Sequence, residues 1–336
     1  MKTYSIKEKP FVISGSPLFK KTGKIHRLTE EIRNEIPSLD FLGRRCPGAR
    51  VGFITDASEF TVTIHFATLN FDIGMSIYAC HSAHVMVGKR SESKLVATVY
   101  PPNYTTKTFS NKVIKSDSLE EVTIWLPRNE EIIDVEITFP DNAVILPPTP
   151  YKHGPALYYG SSITEGGCCC NITNAYNALL CRYFDLDYYN FGFSGAAMGE
   201  EIMAEYIASL NPEIFIYDYD HNAPTKEHLE KTHKPFFDKF RSKRPYTPVV
   251  MLTMPNFDFH EEGNIRREII KETYKEALKS GDKNVYFVDG ETFFGEKDRE
   301  LCTIDMIHPN DLGFYRMAQA IKPVIKNILE KKEHTL

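Results

Sequence analysis

The feature that most constrains this chain of 336 residues is a change of rhythm near its middle. Before it, "RVGFITD", "FTVTIHFAT", "MSIYAC", "HVMVGK", "KLVATVY" and "EVTIWLP" follow at short intervals, separated by Gly, Asn, Asp, Ser and Pro. In Thr61-Val62-Thr63-Ile64-His65-Phe66 polar and apolar residues alternate at period two, the mark of a strand with one wet face. Several such strands with no helical pattern between them predict a β-sandwich. "FPDNAVILPPTPYKHGP" then sets five prolines between Pro140 and Pro155, which would end the sheet domain and act as a stiff connector. A chain of this length exceeds the usual single domain. The expected division is 1–150 as the sandwich and 151–336 as a second domain.

Beyond the prolines, short apolar strands alternate with helices. "PALYYG" reads as a buried strand, "NAYNALLCRYF" as a helix, "DYYNFGFSG" as strand into turn, and "GEEIMAEYIASL" as a helix. "EIFIYDYD", "PVVMLTMP" and "NVYFVDG" are further strands, separated by helices through "EHLEKTHKPFFDKFRSK" and "NIRREIIKETYKEALKSG"; "DLGFYRMAQAIKPVIKNIL" closes the chain. Strand alternating with helix implies a parallel sheet covered on both faces. In such a sheet the ligand site lies beyond the C-terminal strand ends.

The loops at those ends can therefore be read for chemistry: "GSSIT", "NFGFSG", "DYDHNAP" and "DMIHPND". Acyl transfer needs a nucleophile, a base, a group that orients the base, and donors where the oxyanion develops. These loops supply Ser161 or Ser162, then His308 with Asp305 three residues earlier, and an amide at Gly195 with the Asn222 side chain. Pro309 stiffens the chain beside the imidazole.

The four loops, in this order, resemble the four sequence blocks of the SGNH (GDSL-type) hydrolases over roughly the last 180 residues. The leading β-rich part, with "FDIGMSIYA", is similar to the branch that carries a GxDLY-type sandwich. The resemblance implies a flavodoxin-like three-layer α/β/α hydrolase domain behind the sandwich. It implies Ser162 as nucleophile, His308 as base, Asp305 as its orienter, and the Ser162 amide, Gly195 and Asn222 as the oxyanion hole. Two stretches depart from the family pattern: Ser161 replaces an aspartate, and Asp220-His221-Asn222-Ala223 replaces Gly-Gly-Asn-Asp. Asp220 and His221 are thereby candidates for substrate contact.

Plainer readings compete. A serine at a strand-to-helix turn is commonly an N-cap, the role expected of Ser161. Cys168 to Cys170 offer thiol nucleophiles, but small residues near a helix start are more simply an ordinary loop, and thiols that are buried are usually inert. Seven cysteines, odd in number and three contiguous, favour reduced thiols in a reducing compartment. Cys80-His81-x-x-His84 suggests a metal site, yet on a strand the two histidines would face opposite sides and no fourth ligand is evident. Tyr158, Tyr159, Tyr188 and Tyr189 read as core rather than as a sugar platform.

The net charge of -5, with Lys and Arg scattered, gives no footprint for nucleic acid. No apolar run approaches a membrane span or the core of a signal peptide, so a cytoplasmic location is expected. The reading is a serine esterase, with no cofactor, acting on a small acyl ester. Acetyl on a carbohydrate is what the resemblance suggests first. An acyltransferase with the same triad and a non-catalytic carbohydrate-binding protein are the alternatives. Oligomeric state is left open.

Overall fold

A computed structural model describes residues 1–333. Backbone contacts group the chain into two compact units. Unit 1 is Met1–Lys152 with Cys169–Thr173 and Cys181–Tyr189; unit 2 is His153–Cys168, Asn174–Leu180 and the chain from Asn190 on.

Unit 1 contains ten strands: β1 (Lys2–Ser5), β2 (Val12–Ser14), β3 (Arg50–Thr55), β4 (Glu59–Phe66), β5 (Ala83–Val87), β6 (Lys94–Val99), β7 (Thr108–Ile114), β8 (Glu120–Trp125), β9 (Ile132–Phe139) and β10 (Ile145–Leu146). They form one sheet of order β1-β9-β4-β7 and another of order β10-β3-β8-β5-β6, with β2 added to β3. The pairings are antiparallel. Val62 and Ile64 of β4 and Val135 and Ile137 of β9 share one buried core with Val51 and Phe53 of β3 and Ile124 of β8. The period-two alternation thus aims one side of each sheet inward, as the sandwich reading requires. Phe53 sits at the centre, edge-on to Phe11, Phe60 and Phe139 at 5.4, 5.7 and 5.6 Å.

One expected strand is instead a helix. "MSIYAC" yields Ile77–His81 in helical form, because the Ser76 hydroxyl accepts the Ala79 amide at 3.3 Å and caps the turn. His81 therefore ends a helix while His84 lies on β5, and His81 Nε2 is bonded to Glu130 Oε1 at 2.8 Å.

Arg50 anchors the chain segment 181–189 within unit 1. It is buried, pairs with Asp187 and donates to the Tyr151 hydroxyl at 2.9 Å. The rings of Tyr188, Trp125 and Tyr151 surround its guanidinium at 4.6, 5.0 and 5.3 Å. A buried cation is tolerable only with such compensation.

Beyond Lys152 the chain is built on β11 (His153–Gly160), β12 (Leu186–Gly192), β13 (Ile214–Asp218), β14 (Val249–Leu252) and β15 (Val285–Val288). The sheet order is β12-β11-β13-β14-β15, and β11, β13, β14 and β15 run parallel. The helices are α1 (Ser162–Glu165), α2 (Tyr176–Phe184), α3 (Glu201–Ser209), α4 (Lys226–Lys243), α5 (Gly263–Lys279) and α6 (Asp311–Glu333). Counted along the chain the strand order is 2-1-3-4-5, the flavodoxin-like order. Its topology reverses between β11 and β13, so a ligand crevice is expected at their C-terminal ends. Among the described residues no helix is long and apolar enough to cross a membrane.

Candidate active site

The crevice at the ends of β11 and β13 begins with a glycine that nothing else could replace. A Cβ on Gly160 would lie 1.8 Å from Asp218 Oδ1 and 2.1 Å from Thr164 Oγ1. Without it the chain turns tightly into α1, whose N-cap is Ser161: its hydroxyl accepts the Ile163 amide at 3.2 Å. Ser161 is buried and so occupied in structure, while Ser162, the first helical residue, keeps its Oγ at the surface of the crevice. Gly166, at φ +90°, closes this single turn.

Buried polar groups hold the turn. Thr164 donates to Asp218 Oδ1, and the Tyr176 hydroxyl donates to Asp218 Oδ2 at 3.2 Å. Burial raises the Asp218 carboxyl well above the usual carboxylate range, against the pull of those two donors. Asn177 and Asn190 both donate to the Thr164 carbonyl, at 2.7 and 2.9 Å. Sequence reasoning missed this bracing, whose only signal was polar residues inside otherwise apolar elements.

His308 reaches Ser162 from the loop before α6. Its Nε2 is 2.8 Å from Ser162 Oγ, and its Nδ1 is 2.7 Å from Asp305 Oδ2. Because a carboxylate only accepts, Nδ1 carries the proton and Nε2 is left to accept from the serine hydroxyl. Asp305 Oδ1 accepts the amides of His308 and Ile307 at 2.7 and 3.0 Å. Partial burial pushes the Asp305 carboxyl up, but these amides and the imidazole outweigh it and leave it below its ordinary value. The loop is tight enough to set Met306 at φ +71°, and Asn256 steadies it by donating to the Met306 carbonyl at 3.0 Å.

The remaining two loops converge on Phe193. Its amide donates to the Gly160 carbonyl at 2.8 Å, and its carbonyl accepts one N–H of the Asn222 side chain at 2.7 Å. The second N–H of that amide group is left for another acceptor. Gly195 turns at φ +67°, and among the described residues neither its amide nor that of Ser162 has a hydrogen-bond acceptor. Glu165 accepts the Ser194 amide at 3.2 Å, and the Arg266 guanidinium of α5 donates to the carbonyls of Asp220 and Ala223 at 2.7 and 2.8 Å. The loops bearing Gly195 and Asn222 are therefore fixed before any ligand arrives.

Asp220 and His221 part company. Asp220 points inward: its carboxylate accepts the amides of Met254 and His221 at 2.8 and 3.1 Å, and burial lifts it to about 6. A carboxyl that is 1% exposed and bonded to two backbone amides is not presented to the crevice. His221 lies within electrostatic reach of His308 and Asp305. Burial first, then the His260 and His308 charges, lowers it to about 3, and its Nε2 has no hydrogen-bond partner among the described residues. Cys168 is partly exposed, Cys169 buried and Cys170 exposed, and the imidazole of His308 is turned to Ser162 rather than to any of them.

A serine, an imidazole and a carboxylate in this order, at the switch point of a parallel sheet, define the class of α/β carboxylic ester hydrolases. The chain belongs to the GDSL-like Lipase/Acylhydrolase family, whose sequence profile matches residues 153–326. Among solved structures it is similar to a protein from Bacteroides ovatus ATCC 8483 described as a GDSL-like lipase, with 25% identity, 98% of each chain covered and a TM-score of 0.86. It also shares its fold with the salicylyl-acyltransferase SsfX3 of a tetracycline biosynthetic pathway, at 18% identity, 97% of each chain and a TM-score of 0.78. A family two carbohydrate esterase from Clostridium thermocellum, in complex with cellohexaose, matches at 18% identity over 84% of this chain and 93% of that one, with a TM-score of 0.64. No curated protein sequence matches the chain.

Proposed function

We propose that the protein is a serine esterase that removes short acyl groups, acetyl foremost, from a carbohydrate. The observation that carries the reading is the unbroken relay from Ser162 Oγ through His308 to Asp305, at 2.8 and 2.7 Å. Ser162 Oγ attacks the ester carbonyl as His308 Nε2 takes its proton. The carbonyl oxygen becomes an oxyanion, and the amides of Ser162 and Gly195 with the free N–H of Asn222 are the donors available to it. His308 then returns the proton to the departing sugar oxygen, leaving an acyl group on Ser162. Water, deprotonated by the same imidazole, releases the acid and restores the serine. All of these residues lie in unit 2. His221, beside the relay with an unanswered ring nitrogen, is suited to a substrate hydroxyl.

The carbohydrate substrate is supported by fold similarity to carbohydrate esterases, among them an acetyl xylan esterase from Butyrivibrio proteoclasticus. Fold alone does not transfer a substrate. Transfer of the acyl group to a second hydroxyl is the alternative, favoured by the likeness to an acyltransferase over 97% of both chains. The test is hydrolysis of p-nitrophenyl acetate and a panel of acetylated sugars by wild type and Ser162→Ala. The substitution should cost about 10⁴-fold or more in kcat; equal rates would end the proposal. Product analysis with an unacylated acceptor sugar separates hydrolysis from transfer.

A further inference from the structure

Unit 1 has a cleft of its own, of about 330 Å³, lined by Phe71, Asp72, Met75, Cys80, His81 and Tyr104. That volume lies at the lower end of ligand clefts, about 300 to 1,000 Å³. Phe71 and Tyr104 are 60% and 48% exposed. Their rings meet edge to face at 5.2 Å. Two large aromatic rings side by side in water are unfavourable unless something covers them.

The floor of the cleft is rigid. Glu130 and His81 are both fully buried and 2.8 Å apart. Glu130 also accepts the Asn70 amide at 2.6 Å, the Thr68 hydroxyl at 2.7 Å and the Asn70 side chain at 3.2 Å. A carboxylate is retained in a protein interior only when its lone pairs are answered. Here three of the four donors come from the loop that carries Phe71 and Asp72, so the buried carboxylate fixes the walls. Asp72 in turn accepts from Arg128 at 3.2 Å, and Arg128 is itself buried. The site is held in shape without a ligand, which lowers the ordering cost of binding one.

The chemistry of the walls selects the occupant. Aromatic faces carry negative charge density and accept the weakly positive C–H face of a pyranose. The half-exposed Asp72 carboxylate offers charge-assisted hydrogen bonds to ring hydroxyls. A purely apolar occupant would strip water from the Asp72–Arg128 pair without replacing it, and protein interface cores are depleted of charge. An anionic ligand would meet Asp72 at the rim. We propose that this cleft is a saccharide-binding subsite that takes a pyranose ring of a glycan against Phe71 and Tyr104, with its hydroxyls bonded to Asp72. The proposal does not depend on the chemistry of Ser162.

The full chain carrying Ser162→Ala is titrated calorimetrically with cellohexaose, xylohexaose and mannohexaose. The titrations are repeated with Phe71→Ala and Tyr104→Ala together, and separately with Asp72→Asn. At least one glycan binds, and both sets of substitutions weaken it tenfold or more or remove one of two binding events, with the thermal midpoint of the Phe71 and Tyr104 double variant unchanged. Three results overturn the proposal: no glycan binds, the substitutions leave affinity and stoichiometry unchanged, or light scattering shows a dimer that the double substitution converts to monomer. The last would make the patch a contact between copies of the chain.

Discussion

Replacing Asp305 by asparagine separates orientation of the base from the integrity of its loop. The side-chain carbonyl of asparagine can still accept the amides of His308 and Ile307, now held at 2.7 and 3.0 Å, so the turn before α6 should survive. The other atom becomes an amide nitrogen facing His308 Nδ1, which sits 2.7 Å from Asp305 Oδ2. A donor there forces Nδ1 to act as acceptor and moves the imidazole proton to Nε2. Nε2 can then no longer accept from Ser162 Oγ, and the nucleophile loses its base. The expected loss is about 10⁴-fold in kcat, or roughly 5 kcal/mol of transition-state stabilisation at about 1.4 kcal/mol per decade. KM for p-nitrophenyl acetate should change little, and the far-ultraviolet spectrum and melting midpoint should stay near wild type. Asp305→Ala should lose activity and stability together, because it also orphans the two amides. A fall of less than about tenfold in Asp305→Asn, with the fold intact, would refute the assigned tautomer and with it the role of Asp305.

Three further outcomes follow from the same geometry. Asn222→Ala removes one oxyanion donor and should lower kcat by about 10²- to 10³-fold with little change in KM, measured by steady-state hydrolysis. Asp220 holds its proton to about pH 6 in the folded chain against an ordinary value near 3.9, so the folded state binds the proton more tightly than the unfolded one. Stability from this group is present below about pH 4 and is lost as pH rises toward 6, by at most about 3 kcal/mol; denaturant unfolding should show wild type losing ground to Asp220→Asn across that window, and a constant gap would contradict it. Arg50→Ala leaves Asp187 without its cation and should destabilise the chain by about 3 to 5 kcal/mol, read as a lowered unfolding midpoint.

The meeting of Ser162, His308 and Asp305 was legible in the sequence because these residues lie in short loops at strand ends, where local spacing decides what meets what. Asp305 and His308 are three apart in one turn, and Ser162 follows directly on a strand. The partners that hold these loops were not legible. Thr164 meets Asp218 54 positions away, Asn190 meets the Thr164 carbonyl 26 positions away, and Arg266 braces a loop more than forty residues upstream. Such pairs are set by strand order, which no local pattern specifies. In unit 1 the strict alternation of β4 was readable, whereas β7, as "TFSNKVI", hides its two buried residues Phe109 and Val113 among polar neighbours. "MSIYAC" misled because a short apolar run fits strand or helix equally, and the Ser76 cap decided it. Asp220 and His221 looked equivalent as loop residues; only the folded turn after β13 tells the buried carboxyl bonded to the Met254 amide from the imidazole that feels the His308 charge.

The central claim is that Ser162 carries the acyl group. Rapid quenching in acid during turnover of p-nitrophenyl acetate, followed by peptide mass mapping, tests it directly. The account predicts an acetyl adduct on the peptide at Ser162, absent in Ser162→Ala and accumulating more slowly in Asp305→Asn. An adduct on Cys168, Cys169 or Cys170 that persists in Ser162→Ala, or turnover with no covalent adduct at all, would contradict it.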